Sequence, residues 1–361
     1  MKHVLTSAGA VLALATTSTA NAHNVYADDH APIGVMADHA HKKGEVMLSL
    51  RTMHMEMKGN QIGTDNVSPE TITTTVPNRF FGAPMQPPTL RIVPTAMRTD
   101  MYMLGAMWAP SDSVTLLVMG SYLEKEMDHI SFQGGMGTAR LGTFTTNPKG
   151  FGDTRLAALF PILGHPDPVD DVRDELTLKA GINVPTGSIT QTDVILTPAG
   201  ANPRVRVPYM MQLGTGTWDL EPALTYKARR GKLGFGLQGS ASIKLGTNDQ
   251  GYSFGDVYEA SAWASYRPAQ WISLSGRVKA LTIGRINGID PAIVGPVQTA
   301  NPDFQGGERI DFIAGINMVA THGALAGHRL GIELGKPVYQ DLNGPQLAGD
   351  WTLTAGWQKA F

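Results

Sequence analysis

No cysteine occurs in the 361 residues, so no disulfide holds this chain together. Beyond the first two dozen residues, no stretch approaches the roughly 18 consecutive apolar residues that a membrane helix needs. A helical membrane protein is thereby excluded. Charge is scarce as well: Asp, Glu, Lys and Arg make up 17% of the chain, against about 25% in an ordinary soluble domain. The formal net charge of −2 gives no reason to expect nucleic acid or an acidic substrate. Motifs of the G-x-S-x-G, H-E-x-x-H or phosphate-binding glycine type are missing too, so no enzyme is expected, and no cofactor.

What the chain has instead begins with a leader. "MKHVLTSAGAVLALATTSTANA" combines a short basic start, a weakly apolar middle and the small-x-small end Ala20-Asn21-Ala22. Residues 1–22 thus read as a secretory signal cleaved before His23. Lys2 is its only charge, so the mature chain carries a formal charge of −3. An exported chain without disulfides needs another means of holding itself together, and a closed β-barrel provides one.

Strict two-residue alternation recurs along the sequence. In "ELTLKAGINV", Leu176, Leu178, Ala180, Ile182 and Val184 alternate with Glu175, Thr177, Lys179, Gly181 and Asn183. "LGFGLQGSASIKLG", "WISLSGRVKAL", "RLGIELG" and the final "DWTLTAGWQKAF" behave alike. Successive strand residues face opposite sides of a sheet, so each segment has one oily and one small or polar face. About twelve segments are predicted, near 44–57, 97–109, 113–126, 151–161, 172–185, 213–228, 233–246, 254–267, 271–284, 309–321, 328–340 and 349–361. Each slightly exceeds the roughly 9–11 residues of a tilted membrane strand.

The connections separate a membrane barrel from a soluble sandwich. Short links ("APSDS", "GHPDPVDD", "RRGK", "RPAQ", "THGALAG") alternate with long or polar ones at 58–96, 127–150, 186–212, 247–253, 285–308 and 341–348. All turns therefore fall at one end and all loops at the other. This is the plan of an outer-membrane barrel, with short periplasmic turns and longer external loops. The fold predicted is an all-β, antiparallel, up-and-down transmembrane barrel over 44–361, behind a periplasmic N-terminal segment, 23–43, that forms a short plug. The oily faces would meet outer-membrane lipid. Trp351, Leu353, Trp357 and the final Phe361 belong to the closing strand.

Two stretches, "HAPIGVMADHAHKKGEVMLSLR" and "VPTAMRTDMYMLGAMWAPSDSVTLLVMGSYLEKEMDH", resemble the MetA-pathway phenol-degradation family of outer-membrane, transporter-like barrels. The likeness is strongest over about residues 30–130. It implies a bacterial outer-membrane location and facilitated diffusion of small aromatic or hydrophobic solutes. Resemblance to outer-membrane proteins also implies that the C-terminal aromatic strand engages the outer-membrane assembly machinery.

Three constellations bear on function. Met47, Met53 and Met55, with Arg51, share a face of the first strand; Met101, Met103 and Met107 share a face of the second, and Met119 lies on the third. Thioethers fill gaps in packed interiors, form adaptable paths for apolar solutes, or bind soft ions such as copper(I). All three readings fit this pattern. The N-terminal segment "HNVYADDHAPIGVMADHAHKKGE" offers His23, His30, His39 and His41, with Asp28, Asp29 and Asp38, as ligands for a divalent metal, and Met53 and Met55 are candidate thioether ligands. Finally, Arg51, Asp100, Asp153, Arg155, Lys179, Glu221, Lys227, Lys244, Glu259, Arg277, Lys279, Arg309, Asp311 and Glu333 are assigned to polar faces. Their mixed signs suit ion pairs that brace a lumen, or a charged ring that selects a solute. Three functions therefore compete: a channel for small solutes, a Met- and His-rich barrel handling copper-like ions, and a closed structural barrel. The N-terminal segment and the loop 58–96 are the expected constrictions. The weak enzymatic candidate is His129 with Asp128 and Ser131.

Overall fold

The computed structural model describes residues 26–83, 86–164 and 172–361. The predicted signal, His23 and most of the turn that begins at Gly164 lie outside the described residues. Eleven strands form one closed antiparallel ring. In chain order they are β1 (Val46–Gly63), β2 (Ile92–Ser111), β3 (Val114–Phe132), β4 (Thr154–Leu163), β5 (Val172–Val184), β6 (Ala223–Arg230), β7 (Leu233–Leu245), β8 (Val257–Ala269), β9 (Ile272–Ile283), β10 (Gly307–Val319) and β11 (Arg329–Ala360).

Each strand pairs with its sequence neighbours, and β11 closes the ring onto β1 with Met47 opposite Ala360. The 32 residues of β11 are too long for one crossing. Its first arm pairs with β10 as far as Leu342, and its second arm runs back along β1. Lys336 lies 3.6 Å from Asp350, and Trp357 donates to His328 at 3.0 Å. The two arms therefore lie side by side, and the wall is crossed about twelve times.

Burial follows the alternation. Leu50, Leu104, Leu237, Phe312 and Leu334 are each more than half exposed and point away from the lumen. So large a continuous apolar surface does not face water in a soluble monomer. Aromatic rings bound the oily band on both sides. Trp108, Tyr266, Trp271 and Phe361 lie toward the turn end, and Tyr102, Phe151, Trp218 and Tyr258 toward the loop end. From Tyr258 to Tyr266 the strand rises about 26 Å at roughly 3.3 Å per residue. At a tilt of about 40° this is about 20 Å along the membrane normal, which places both rings inside the roughly 25 Å apolar band of an outer-membrane barrel.

Two sequence expectations need correction. Asp100 does not face the lumen: it shares the outer face with Tyr102 and Leu104 and bonds His54 at 2.7 Å. Beyond Tyr102, β1–β3 project past the oily band. Their outer faces there carry charge, with Arg98 3.1 Å from Glu126. The sixth strand is also shorter than 213–228. Gly214, Gly216 and Pro222 interrupt the ladder, and only Trp218–Leu220 forms a short strand before β6 begins.

The loop end is covered. Tyr209, Tyr252, Ile286, Ile293, Val297 and Ala300 form an apolar cluster drawn from three loops. The loop after β1 carries a short helix, Pro69–Thr75, capped by Ser68. Its Ile72 and Val76 pack on Leu90, Val93, Ile130 and Phe132. The fully buried Arg91 braces the next loop by donating to the carbonyls of Gln133, Gly134 and Gly137.

Candidate functional site

The interior is divided along the barrel axis into two chambers and a filled turn end. The upper chamber is a cavity of about 520 Å³ under the loop cluster. Met55, Met57, Met101, Met103, Met119 and Leu123 line one wall, Val257, Leu281 and Ile283 the other, and Tyr209, Met210, Leu213, Phe254 and Ile286 descend from the loops. Lys125 fixes part of that roof by donating to the carbonyls of Met210 (2.8 Å) and Gln212 (2.6 Å). No described residue of 58–96 lines either chamber. The constricting loops are instead those after β5, β7 and β9, whose apolar residues collapse over the opening.

The lower chamber, about 280 Å³, is bounded by charge. Arg155 and Lys179 reach Glu221 at 3.1 and 3.3 Å. Lys279 spans Glu259 (3.9 Å) and Asp311 (3.4 Å), and Arg309 meets Asp311 at 2.9 Å. Lys244, higher on the wall, pairs with Asp219 at 2.7 Å. Arg277 makes a two-pronged pair with Glu333, 2.9 Å on each side, with both side chains buried. These lumen charges thus occur largely as cross-strand pairs, the arrangement expected of bracing.

Residues 26–41 fill the turn end. Asp28 lies 3.1 Å from Arg229 and 3.0 Å from Arg267; Asp29 lies 2.7 Å from Arg229 and 3.3 Å from Arg173. The Arg267 guanidinium stacks on the Tyr26 ring, 3.6 Å from its centre. The wall also donates to the backbone of the segment: Arg329 to Ala27, Asn317 to Ala31 and Gln238 to Met36. At Gly34 a Cβ would run into the Arg277–Glu333 pair, so only glycine lets the backbone pass that close. The Trp263 indole, which lies across Gly236, packs on Ala31 and Val35.

The methionines divide between these regions. β1 and β2 pair so that Met53 faces Met101 and Met47 faces Met107. Met55, Met101, Met103 and Met119 line the upper chamber, and Met53 the lower one. Met47 and Met107 pack with Ala37, Leu159 and Ala360, where they fill space. Arg51 points its guanidinium at the Met36 sulfur.

His30, His39 and His41 are buried in the N-terminal segment, apart from Met53 and Met55. Burial pushes the His30 and His39 pKa values below the ordinary imidazole range, so both rings are neutral near pH 7. For Asp38 burial works upward, but the His39 ring and the Lys227 ammonium outweigh it and hold the carboxyl well below its usual range. His129, Asp128 and Ser131 form no catalytic set: the buried His129 stacks on Phe144, while Asp128 accepts from Thr145 on the outer face.

Sequence periodicity found the wall residues but missed the roof. Tyr209 and Met210 lie in an irregular loop, where their one signal was large apolar side chains within a connection expected to be polar. Leu213 and Phe254 open the segments 213–228 and 254–267 predicted as strands, but both lie in loops before the strands begin.

No protein-family model and no curated protein matches the chain. Among solved structures, the COG4313 outer membrane channel from Pseudomonas putida F1 superposes with a TM-score of 0.56 at 17% identity, over 91% of this chain and 100% of that one. A mutant of the monoaromatic hydrocarbon channel TodX matches at a TM-score of 0.43 and 9% identity, over 89% and 91% of the two chains. The P. putida toluene transporter TodX matches at 0.39 and 10%, over 89% and 91%. By its closed antiparallel ring, its oily exterior and its similarity to the first of these, the chain has the fold of an outer-membrane β-barrel.

Proposed function

We propose that the chain is an outer-membrane channel for facilitated diffusion of small hydrophobic solutes, aromatic ones among them. The observation that carries this reading is the upper chamber. Its volume falls within the roughly 300–1,000 Å³ of small-molecule sites, and its walls are mainly thioether and hydrocarbon, although Arg155, Asp219, Lys244, Glu308 and Arg309 also reach it. Methionine adapts to apolar solutes of different shape. In this reading the turns face the periplasm, residues 26–43 plug that end, and passage needs neither cofactor nor energy source. The resemblance of residues 30–130 to the MetA-pathway phenol-degradation family supports the same solute class. Barrel lipids and the outer-membrane assembly machinery, engaged through the second arm of β11, are the expected partners.

The test replaces Met101 and Met103. Aspartate at either position removes about 50 Å² of apolar contact from a seated solute, which costs about 1.3 kcal/mol at ~25 cal/mol/Å². That is close to tenfold in occupancy, and the carboxylate's water adds to it. Uptake of a monoaromatic solute should therefore fall about tenfold or more in Met101→Asp and Met103→Asp, and stay near wild type in the leucine variants. Vesicles with lipopolysaccharide in the outer leaflet are required, because apolar molecules cross plain phospholipid unaided. Equal uptake by all four variants would remove the chamber from the path.

The filled turn end favours a second reading, a closed structural barrel. It predicts no flux of any solute while residues 26–43 are in place.

A further inference from the structure

Mechanical sealing does not account for every polar group in the N-terminal segment. His30, Asp38 and His39 are buried together, and one ligand atom from each lies within 4.8 Å of the other two. The His30 and His39 ring centres are 3.9 Å apart. Asp38 Oδ1 sits 2.8 Å from His39 Nδ1. An ion bound there would displace the ring proton from this contact and draw both groups as donors. His39 Nε2 is buried with no hydrogen-bond partner in the protein. Leaving such a group unsatisfied costs about 1–3 kcal/mol, and an apolar side chain would seal the barrel without that penalty. The adjacent His41 repeats the pattern: its Nδ1 lies 3.3 Å from Glu45, and its Nε2 has no partner.

We propose that His30, Asp38 and His39 form a site for a borderline divalent cation, with zinc as the representative ion, and that the ion fastens the N-terminal segment inside the barrel. Imidazole and carboxylate donors suit zinc and its neighbours, whereas a copper(I) site would call for thioethers. Met53 and Met55 line the chambers instead. Tetrahedral zinc sets its donors about 3.4 Å apart, so the widest gap in the set must close by up to about 1.4 Å, while Asp38 and His39 already lie within that distance. Lys227 stands 3.6 Å from Asp38 but 2.9 Å from Glu175, so it keeps a closer anchor when an ion takes its place. The nearby Lys227 and Arg329 charges weaken the attraction, and micromolar affinity is expected.

Calorimetry on chelator-stripped, detergent-solubilised full-length protein tests the site with zinc chloride. Stoichiometric binding is expected, weakened about tenfold or more in His30→Ala, His39→Ala and Asp38→Asn, each of which removes a donor. His322→Ala, which alters an exposed turn histidine, should bind as wild type does. X-ray absorption at the zinc edge of the wild-type protein needs no variant to fold. It should show imidazole scattering, with nitrogen or oxygen donors at about 2.0–2.1 Å. No stoichiometric binding, undiminished binding in the His30→Ala/His39→Ala double variant, or a zinc shell without imidazole would each overturn the proposal. None of these outcomes depends on which solute the barrel passes.

Discussion

Deleting residues 26–43, with the leader kept, is expected to raise single-channel conductance several-fold and to make the channel prefer anions. The segment occupies the turn end of the lumen, and its contacts there are polar and specific, so its removal opens a water-filled path. The ladder that closes the barrel runs from strand to strand and uses none of these residues, so the wall should survive. The change in selectivity follows from charge. Asp28, Asp29 and Asp38 leave together with Lys42 and Lys43, which lie outside the arginine ring, and Arg173, Lys227, Arg229, Arg267 and Arg329 remain around the mouth with Glu175 as a close acidic partner. A ring of arginine and lysine favours anions. The reversal potential in a salt gradient reports this directly. Unchanged conductance together with unchanged selectivity would contradict the plug.

Replacing Glu333 with alanine should produce the largest loss of stability among single lumen substitutions. Glu333 holds Arg277 through two short contacts and accepts from the backbone N–H of Gly34. Removing it leaves a buried guanidinium without its partner, which costs about 3–5 kcal/mol. Denaturant unfolding of the vesicle-embedded barrel, read from the shift between folded and unfolded bands on a gel, measures the loss. Replacing both members with apolar residues, as in Arg277→Met/Glu333→Leu, should restore most of it, because neither charge is then stranded. If Glu333→Ala unfolds at the wild-type denaturant concentration, the pair does not brace the barrel.

Much of this architecture was legible locally. The alternation in "ELTLKAGINV" put Leu176 and Leu178 on one face and Lys179 on the other, and parity alone placed most lumen residues. Where charge was allowed to override parity, at Asp100, the assignment failed. That strand continues beyond the hydrocarbon, where an outward carboxylate meets water. The stretch 213–228 looked like one strand because alternation continues through "TWDLEPALTY", yet two glycines and a proline divide it. The seat of the N-terminal segment had no local signature. Arg173, Arg229, Arg267 and Arg329 come from separate strands, and only barrel closure gathers them around Asp28 and Asp29. The roof of the upper chamber was hidden for a similar reason, since loop residues meet there without periodicity.

The most direct measurement is the ratio of uptake rates for a monoaromatic solute and a sugar of similar size, in lipopolysaccharide-faced vesicles carrying the wild-type barrel. A methionine-lined passage predicts a ratio well above that of empty vesicles, lowered by Met103→Asp. A ratio equal to that of empty vesicles, or one favouring the sugar, would contradict it.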